Sequence, residues 1–386
     1  MKKTTRKALS LLASMHLTVA LLVVLMLLVV LCTLHQVELG TYGSVLKYMR
    51  GFFVYAALPG LGVRVPVFPA GGLVGLGLIA NLLAVLFSAP GAFRQRAGFW
   101  LIHTGLVLLV LGEFMTGMFS VETQMTVEEG QTVNYTENRG REELVLIDHS
   151  LPEFDEVYSM DAAAMREGRT ISHPRMPLDF KVIAHYPNAK LERRPPDSKL
   201  PPSKANRGVG PGVTVWPLAP AAEEQGGNQR TAYVEATAGG KPLGTWLVSA
   251  ALAQPQHIDH AGGHYSLLLR PKRHYLPYSI TLKDFRHDVY PGTSIPKNFA
   301  SLIQLRHPQR GEDREVLIYM NHPLRYAGKA FFQASYGKGD TLSVLQVVEN
   351  PGWLLPYVSF LLVTLGLLFQ FAIQMRAFSK IEGGAG

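Results

Sequence analysis

Long apolar runs interrupt the chain at four places, residues 9–34, 71–88, 99–119 and 353–375. A bilayer core accommodates roughly 20 helical residues, so each run predicts one membrane-spanning helix surrounded by membrane lipid. The first run is longer than the roughly 7–15 apolar residues of a signal-peptide core, and no small-x-small cleavage site follows it. We therefore interpret the first run as an uncleaved span.

The region between the third and fourth runs has a different pattern. Short segments that alternate apolar and polar residues recur through residues 120–352, with Gly and Pro between them. Such alternation is typical of antiparallel strands. It predicts a large all-β domain, either a sandwich or an open barrel. Residues 186–230 are rich in Pro, Gly, Asn and Lys, which predicts a flexible insertion within this domain.

The charge distribution orients the four spans. The net charge is +8, but residues 120–352 contain 26 basic and 26 acidic side chains, so the excess lies beside the spans. Basic residues at both termini and in the 89–98 hairpin share one side, which the positive-inside rule assigns to the cytoplasm. This placement argues against nucleic-acid binding. The basic residues are Lys2, Lys3, Arg6, Lys7, Arg94, Arg96, Arg376 and Lys380.

The predicted fold class is thus a membrane protein with four transmembrane α-helices and a large extracytoplasmic all-β domain. Charged residues make up 17% of the chain, against about a quarter in soluble proteins. The expected location is the bacterial cytoplasmic (inner) membrane. The predicted segments are a cytoplasmic N-terminus with the first span (1–34), an external loop (35–70), two spans with a cytoplasmic hairpin (71–119), the β domain (120–352), and the last span with its tail (353–386).

Cysteine usage excludes several classes of site. Cys32 is the sole cysteine, so the chain has no disulfide framework, no internal thiol pair and no cysteine-built zinc site. A Cys-x-x-Cys-His motif is absent, so the chain does not carry covalently attached c-type haem. The four tryptophans form no tryptophan-rich cluster.

His103 is the strongest candidate for chemistry. It lies four residues into the third span, roughly 6 Å deep at 1.5 Å per residue. An ionisable residue within a span indicates function by default, and a neutral imidazole can ligate haem iron. A hydrogen bond to a neighbouring helix or to lipid headgroups accounts for the position equally well. His16, seven or eight residues into the first span, is a second candidate ligand, although an interhelical hydrogen bond is favoured there.

The β domain offers weaker candidates. His257, His260 and His264 have metal-like spacing, but glycines interrupt them and loop histidines are usually solvated, so no metal site is predicted. No nucleophile and base can be paired from spacing, so no catalytic residue is predicted either.

Several stretches resemble the ResB (CcsB) family of system II cytochrome c biogenesis proteins. The order of three spans, a large outside domain and a last span is also similar. The stretches are GFWLIHTGLVLLVLG at 98–112, MTVEEG at 125–130, YSITLKDF at 278–285, YPGT at 290–293, PKNFAS at 296–301, NHPLRYAG at 321–328, FFQASY at 331–336 and ENPGW at 349–353.

This resemblance implies a function. Family members act with a multispan partner, ResC (CcsA), which has a tryptophan-rich external loop. The pair exports haem and attaches it to Cys-x-x-Cys-His motifs of apocytochrome c. The resemblance implies that His103 is an axial ligand of haem b held transiently with the partner. It also implies a non-catalytic or co-catalytic subunit of a haem lyase (cytochrome c synthetase) complex.

Two other classes remain open from the residues alone. One is a membrane-anchored β-rich scaffold of another envelope complex that binds no haem. The other is a b-type membrane redox protein. Haem bound by histidines of the spans distinguishes the scaffold from the other two classes.

Overall fold

The structure is a computed structural model, and it describes residues 9–57, 64–88, 96–195, 197–220, 228–293 and 296–382. Two compact units divide the chain. One comprises residues 1–121 with 349–386, and the other comprises residues 122–348. Five of the basic residues that orient the spans lie outside the described residues: Lys2, Lys3, Arg6, Lys7 and Arg94.

Four helices of the first unit are long and apolar enough to cross a membrane, which confirms the four predicted spans. They are α1 (Met15–Val45), α2 (Gly71–Ser88), α3 (Ala97–Phe119) and α4 (Leu355–Glu382). Helix α1 continues past residue 34, the predicted end of the first span. Gly40 interrupts it with a φ of 69°, a left-handed conformation that glycine adopts readily. A π-helix (Leu46–Arg50) and a hairpin of β1 (Phe53–Ala57) and β2 (Arg64–Pro69) follow.

The start of the first span is set by a buried amide. The apolar run begins at residue 9, yet the helix is broken around Ser14 and α1 starts at Met15. Asn81 of α2 donates to the Leu12 carbonyl at 2.6 Å and to the Ser14 carbonyl at 3.2 Å. Its own carbonyl oxygen accepts from Thr18 Oγ1 at 2.7 Å. Asn81 thereby satisfies the Leu12 carbonyl, which the break leaves without a helical partner, and adds a donor to the Ser14 carbonyl that already accepts from the backbone of Leu17 and Thr18.

Helices α3 and α4 pack closely through glycine. Gly98, Gly105 and Gly112 are the buried residues of α3, and their seven-residue spacing places them on one face. A Cβ added to Gly98 would lie 2.7 Å from the Gly366 carbonyl oxygen. Ser359 Oγ donates to the Gly105 carbonyl at 2.7 Å. Small residues and interhelical hydrogen bonds are the usual basis of helix association in lipid.

The glycine contact generates a stability prediction. In Gly105→Val, the added Cβ would lie 2.7 Å from Val363 Cγ2 and 2.9 Å from the Ser359 carbonyl oxygen. Overpacking of this kind costs about 1–3 kcal/mol, so the detergent-solubilised chain should unfold at a lower temperature in a fluorescence-monitored melt. The matched control is Gly117→Val on the same helix, because a Cβ there meets nothing within 4 Å. Equal melting temperatures for the two variants would contradict close packing.

The second unit is built almost entirely from strands. One ten-stranded sheet contains β3 (Val121–Glu128), β4 (Thr132–Asp148), β5 (Glu156–Asp161), β12 (Gln256–His260), β13 (Gly263–Val289), β14 (Pro296–His307), β15 (Glu312–Tyr319), β16 (Leu324–Tyr326), β17 (Lys329–Gly337) and β18 (Leu342–Glu349). A four-stranded sheet contains β6 (Thr170–Ile171), β7 (Asp179–Tyr186), β10 (Thr231–Ala238) and β11 (Lys241–Ser249).

The large sheet nearly closes into a barrel. Its main path runs β15, β14, β13, β4, β3, β18, β17, β16. The two ends of this path meet, because Tyr326 Oη on β16 donates to Glu312 on β15 at 2.6 Å. This hydrogen bond, followed by that from Arg314, lowers the pKa of the Glu312 carboxyl. The predicted all-β domain of sandwich or open-barrel type is confirmed.

The domain has two separate hydrophobic cores. The first packs the end of the large sheet against the four-stranded sheet through Leu144, Leu146, Phe180, Val234, Trp246 and Leu267. The second fills the barrel with Val127, Tyr278, Ile280, Leu305, Ile318 and Phe331. Strands β4 and β13 contribute to both cores, because their pairing runs from Tyr265–Asp148 to Thr281–Thr132 with two register shifts.

A buried ion pair lies between the two cores. Arg270 Nε of β13 donates to Glu143 Oε1 of β4 at 2.9 Å, and the two side chains are only 9% and 3% exposed. Ser159 Oγ of β5 donates to the other oxygen of Glu143. Nearby, Arg230 pairs with Glu142, and burial together with Arg230 lowers the pKa of His185. The charges at the junction are thus paired within the domain, although one guanidinium nitrogen of Arg270 is buried without a hydrogen-bond partner among the described residues.

The region predicted as a flexible insertion contains regular structure. Within residues 186–230, β8 (Ala189–Arg193) and β9 (Val213–Pro217) form a two-stranded antiparallel sheet. Ala189 and Ala205 are buried, so parts of the segment belong to a small core. The prolines hide this pairing in the sequence, since they lie mainly in the connection between the two strands.

The buried ion pair generates a second prediction. Glu143→Ala leaves Arg270 as an uncompensated buried charge, which typically costs 3–5 kcal/mol. Chemical denaturation followed by circular dichroism should show this loss in the full chain. Asp284→Ala serves as the control, because the Arg286–Asp284 pair is 63% and 43% exposed and such pairs contribute about 0–1 kcal/mol. Similar losses for both variants would rule out the special role of Glu143.

Candidate functional site

Helix α3 presents two different faces. Gly98, Gly105 and Gly112 pack on α4. His103 follows Gly98 by five residues, which rotates it about 140° around the helix at 100° per residue. The helical geometry therefore directs the His103 side chain away from α4, and its imidazole is half-buried.

The hydrogen bond of the His103 ring defines which of its nitrogens carries the proton. His103 Nδ1 lies 2.9 Å from the Phe99 carbonyl oxygen, and because a carbonyl only accepts, Nδ1 carries the proton. Nε2 then presents a lone pair, and within the described part of the chain it has no hydrogen-bond partner. The Phe99 ring packs beside the imidazole with centroids 4.0 Å apart. A histidine fixed through Nδ1 with Nε2 available is the usual form of a metal-ligating imidazole.

Trp100 adds a second polar group that sequence reasoning missed. It precedes His103 by three residues, so the two side chains are neighbours on the surface of α3. Its indole Nε1 is buried and has no hydrogen-bond partner among the described residues. A buried donor without a partner calls for an explanation. The i, i+3 spacing to His103 was the available signal in the sequence.

These two groups are compatible with a haem. His103 Nε2 would bind its iron, and the Trp100 indole N–H would donate to a carboxylate or carbonyl of the bound group. Among the described residues, no other candidate ligand contacts His103.

His16 is not brought into contact with His103. It is the second residue of α1 and is exposed, and no hydrogen bond or ring contact involves it in the described part of the chain. Helix α2 packs against both α1 and α3. His16 is therefore at the end of a span rather than seven or eight residues inside one, because the break at Ser14 shortens the helix.

Two other residues of the spans have distinct environments. His35 Nδ1 lies 3.0 Å from the Leu31 carbonyl of α1 and 3.2 Å from Tyr48 Oη of the π-helix, so both contacts hold its ring. Glu113 is exposed on α3.

The structure separates the three histidines with metal-like spacing. Strands β12 and β13 form a hairpin in which His257 pairs with Ser266 and Asp259 with His264. Because side chains alternate along a strand, His257 and His264 share one face and His260 lies on the other. As placed, no group of three or more His, Cys, Asp or Glu is arranged to hold a metal ion in the described chain.

Comparison with known proteins finds similarity to the ResB-like family over part of the chain. Residues 260–344 match the model of the ResB-like family, a stretch that covers β13 to β17 and the start of β18. Protein NrfI of Wolinella succinogenes is 33% identical over 113 residues, which is 29% of this chain. The chain matches only 12% of the length of that relative.

The matched region coincides with the barrel strands that surround the second core. It also contains five of the sequence stretches that resemble the family, from residue 278 to residue 336. Four apolar helices accompany it. Residues 260–344 of the chain are therefore similar to the ResB-like family.

Proposed function

We propose that this protein is a subunit of a system II cytochrome c maturation complex in the bacterial cytoplasmic membrane. It helps a multispan ResC (CcsA)-type partner to export haem and present it to apocytochrome c. The ResB-like match, the four apolar helices and the β domain support this role. The observation that carries it is the orientation of His103, whose Nε2 is available on the face of α3 opposite α4.

The chain's own residues would position haem rather than react with it. The Phe99 carbonyl keeps a proton on His103 Nδ1, so Nε2 is the nitrogen that would face a bound group. The glycine contact with α4 fixes the rotation of α3 and hence the direction of the imidazole. Trp100 would donate a hydrogen bond to a haem carboxylate. Haem itself, when bound, supplies the vinyl groups that form thioether bonds with cysteine thiols of apocytochrome c.

Because His103 would be one of two axial ligands of the haem, we assign the second ligand to the partner protein. A haem held by two strong axial ligands from one chain is retained, whereas cargo has to be released. His103 provides one ligand here, and a histidine of the partner provides the other. The chain alone has no cysteine pair, so reduced thiols come from apocytochrome c, and the chain acts as a non-catalytic or co-catalytic subunit.

The haem prediction is tested by spectroscopy. Wild-type protein co-expressed with its candidate partner should purify with a b-type Soret band, and His103→Ala should abolish the band because it removes the axial nitrogen. Trp100→Phe keeps the ring but removes the indole N–H. It should retain the band with about 10–150-fold weaker haem retention, since a hydrogen bond to a charged group is worth about 1.5–3 kcal/mol.

Variants of the other histidines of the spans, and preparations without the partner, distinguish the alternative ligands and functions. His35→Ala should retain the band, because His35 is bound to the end of α1 through Leu31 and Tyr48. Loss of the band in His16→Ala would make His16 the second ligand. Absence of haem from every wild-type preparation would support the scaffold function. A band that persists without the partner and accepts electrons would support a b-type redox protein.

The orientation of the β domain is a separate prediction. Cys32→Ser removes the sole thiol, and Ser150→Cys then introduces one at an exposed position of the domain. A membrane-impermeant maleimide should label this cysteine in spheroplasts, because the positive-inside rule places the domain outside. Arg376→Cys in the same background should react only after permeabilisation. The reverse labelling pattern would invert the topology.

A further inference from the structure

A group of histidines lies at one corner of the β domain. Three strands meet there: the end of β4, the start of β13, and β12. His149 follows β4, and its backbone N–H donates to the His264 carbonyl of β13 at 2.9 Å. On the other side of β13, His257 pairs with Ser266 and Asp259 with His264. The three strands thus bring His149, His257 and His264 onto one face.

Two of these imidazoles converge on a single atom. His149 Nε2 lies 2.9 Å from Ser266 Oγ, and His257 Nδ1 lies 3.4 Å from the same oxygen. Ser266 is buried, whereas the His149 side chain is 40% exposed. Two ring nitrogens therefore face the same small volume, and that volume is open to solvent beside His149.

Carboxylates fix the two outer imidazoles. Asp155 Oδ1 lies 2.7 Å from His149 Nδ1, and Asp259 Oδ1 lies 2.7 Å from His264 Nδ1. A carboxylate on Nδ1 keeps the proton there and leaves Nε2 as a lone pair. This carboxylate–histidine arrangement is the common support of metal-ligating histidines.

The surrounding charge favours a cation. Residues 148–156 contain four acidic side chains and no lysine or arginine, and residues 256–264 contain Asp259 and likewise no basic residue other than histidine. Acidic side chains of one sign raise the local concentration of cations.

We propose that His149, His257 and His264 bind a divalent transition-metal ion such as Zn²⁺ at this corner of the β domain. His149 Nε2 and His257 Nδ1 are the first two ligands, with the ion entering beside Ser266 Oγ. The His264 and Asp259 side chains are 72% and 76% exposed, so this hydrogen-bonded pair would reorient together at the surface to supply His264 Nε2 as the third nitrogen, and water would complete the coordination. Imidazole nitrogens suit Zn²⁺ and Cu²⁺.

This ion would tie the segment after β4 to the β12–β13 hairpin. Acyl-transfer chemistry is disfavoured at Asp155, His149 and Ser266, despite their mutual hydrogen bonds. Ser266 lies within a strand paired on both sides, so its own backbone N–H is not aimed at a reacting group. The metal proposal is independent of the haem function, because none of its residues belongs to the spans.

The test is a metal titration of the tag-free, haem-free full chain in detergent. Zn²⁺ competed against a chromophoric chelator should show one site per chain, weakened at least tenfold in His149→Ala and in His257→Ala. Asp155→Asn preserves the size of the carboxylate and should weaken binding about 10–100-fold, as for other residues that support a ligand. His260→Ala is the matched control, since it lies on the opposite face of the same hairpin and should leave affinity unchanged.

Copper spectroscopy separates ligation from folding. Electron paramagnetic resonance of the Cu²⁺-loaded chain should show nitrogen hyperfine coupling that is reduced in His149→Ala, while circular dichroism confirms that the variant is folded. Absence of a stoichiometric site in the wild type, or equal weakening by His260→Ala, would overturn the proposal.

Discussion

The pairing of β4 with β13 is the interaction on which the β domain depends. Both strands pass through the two hydrophobic cores, and the buried Glu143–Arg270 pair lies between these cores. A one-residue slip would move every apolar side chain of a strand to the opposite face. It would also separate Glu143 from Arg270, leaving two unpaired charges inside the protein. The ion pair therefore specifies the register that both cores require.

Helix α3 uses one face to pack against α4 and the rest of its surface to carry polar side chains. Burial of apolar surface gives no driving force between helices in lipid, so close backbone approach and Ser359 hold α3 to α4. Glycine at 98, 105 and 112 leaves no side chain on that face. Polar groups can then be placed on the rest of the helix, as at Trp100 and His103, without disturbing the contact. A rigid helix whose polar side chains lie off the packing face is a suitable support for a bound ligand.

The sequence was sufficient for features that depend on local periodicity. Apolar runs predicted the four spans, and alternation predicted the strands. Features that depend on distant residues were not accessible. Asn81 bonds the break at Leu12–Ser14, after which the first span begins, from a position far along the chain, and the prolines of residues 186–230 concealed the pairing of β8 with β9. His149 and His257 are separated by more than a hundred residues, so no spacing in the sequence connects them.

The histidines of the two units show how the environment selects the partner of Nδ1. His103 uses the neutral Phe99 carbonyl, whereas His149 and His264 use carboxylates. A carboxylate beside His103 would bring a charge into the bilayer, where its desolvation is costly. At the solvent-exposed corner that cost is small, and the carboxylate makes the imidazole a stronger donor to a cation. The Phe99 carbonyl in the span and the carboxylates in the β domain thus accept from Nδ1 in two different environments.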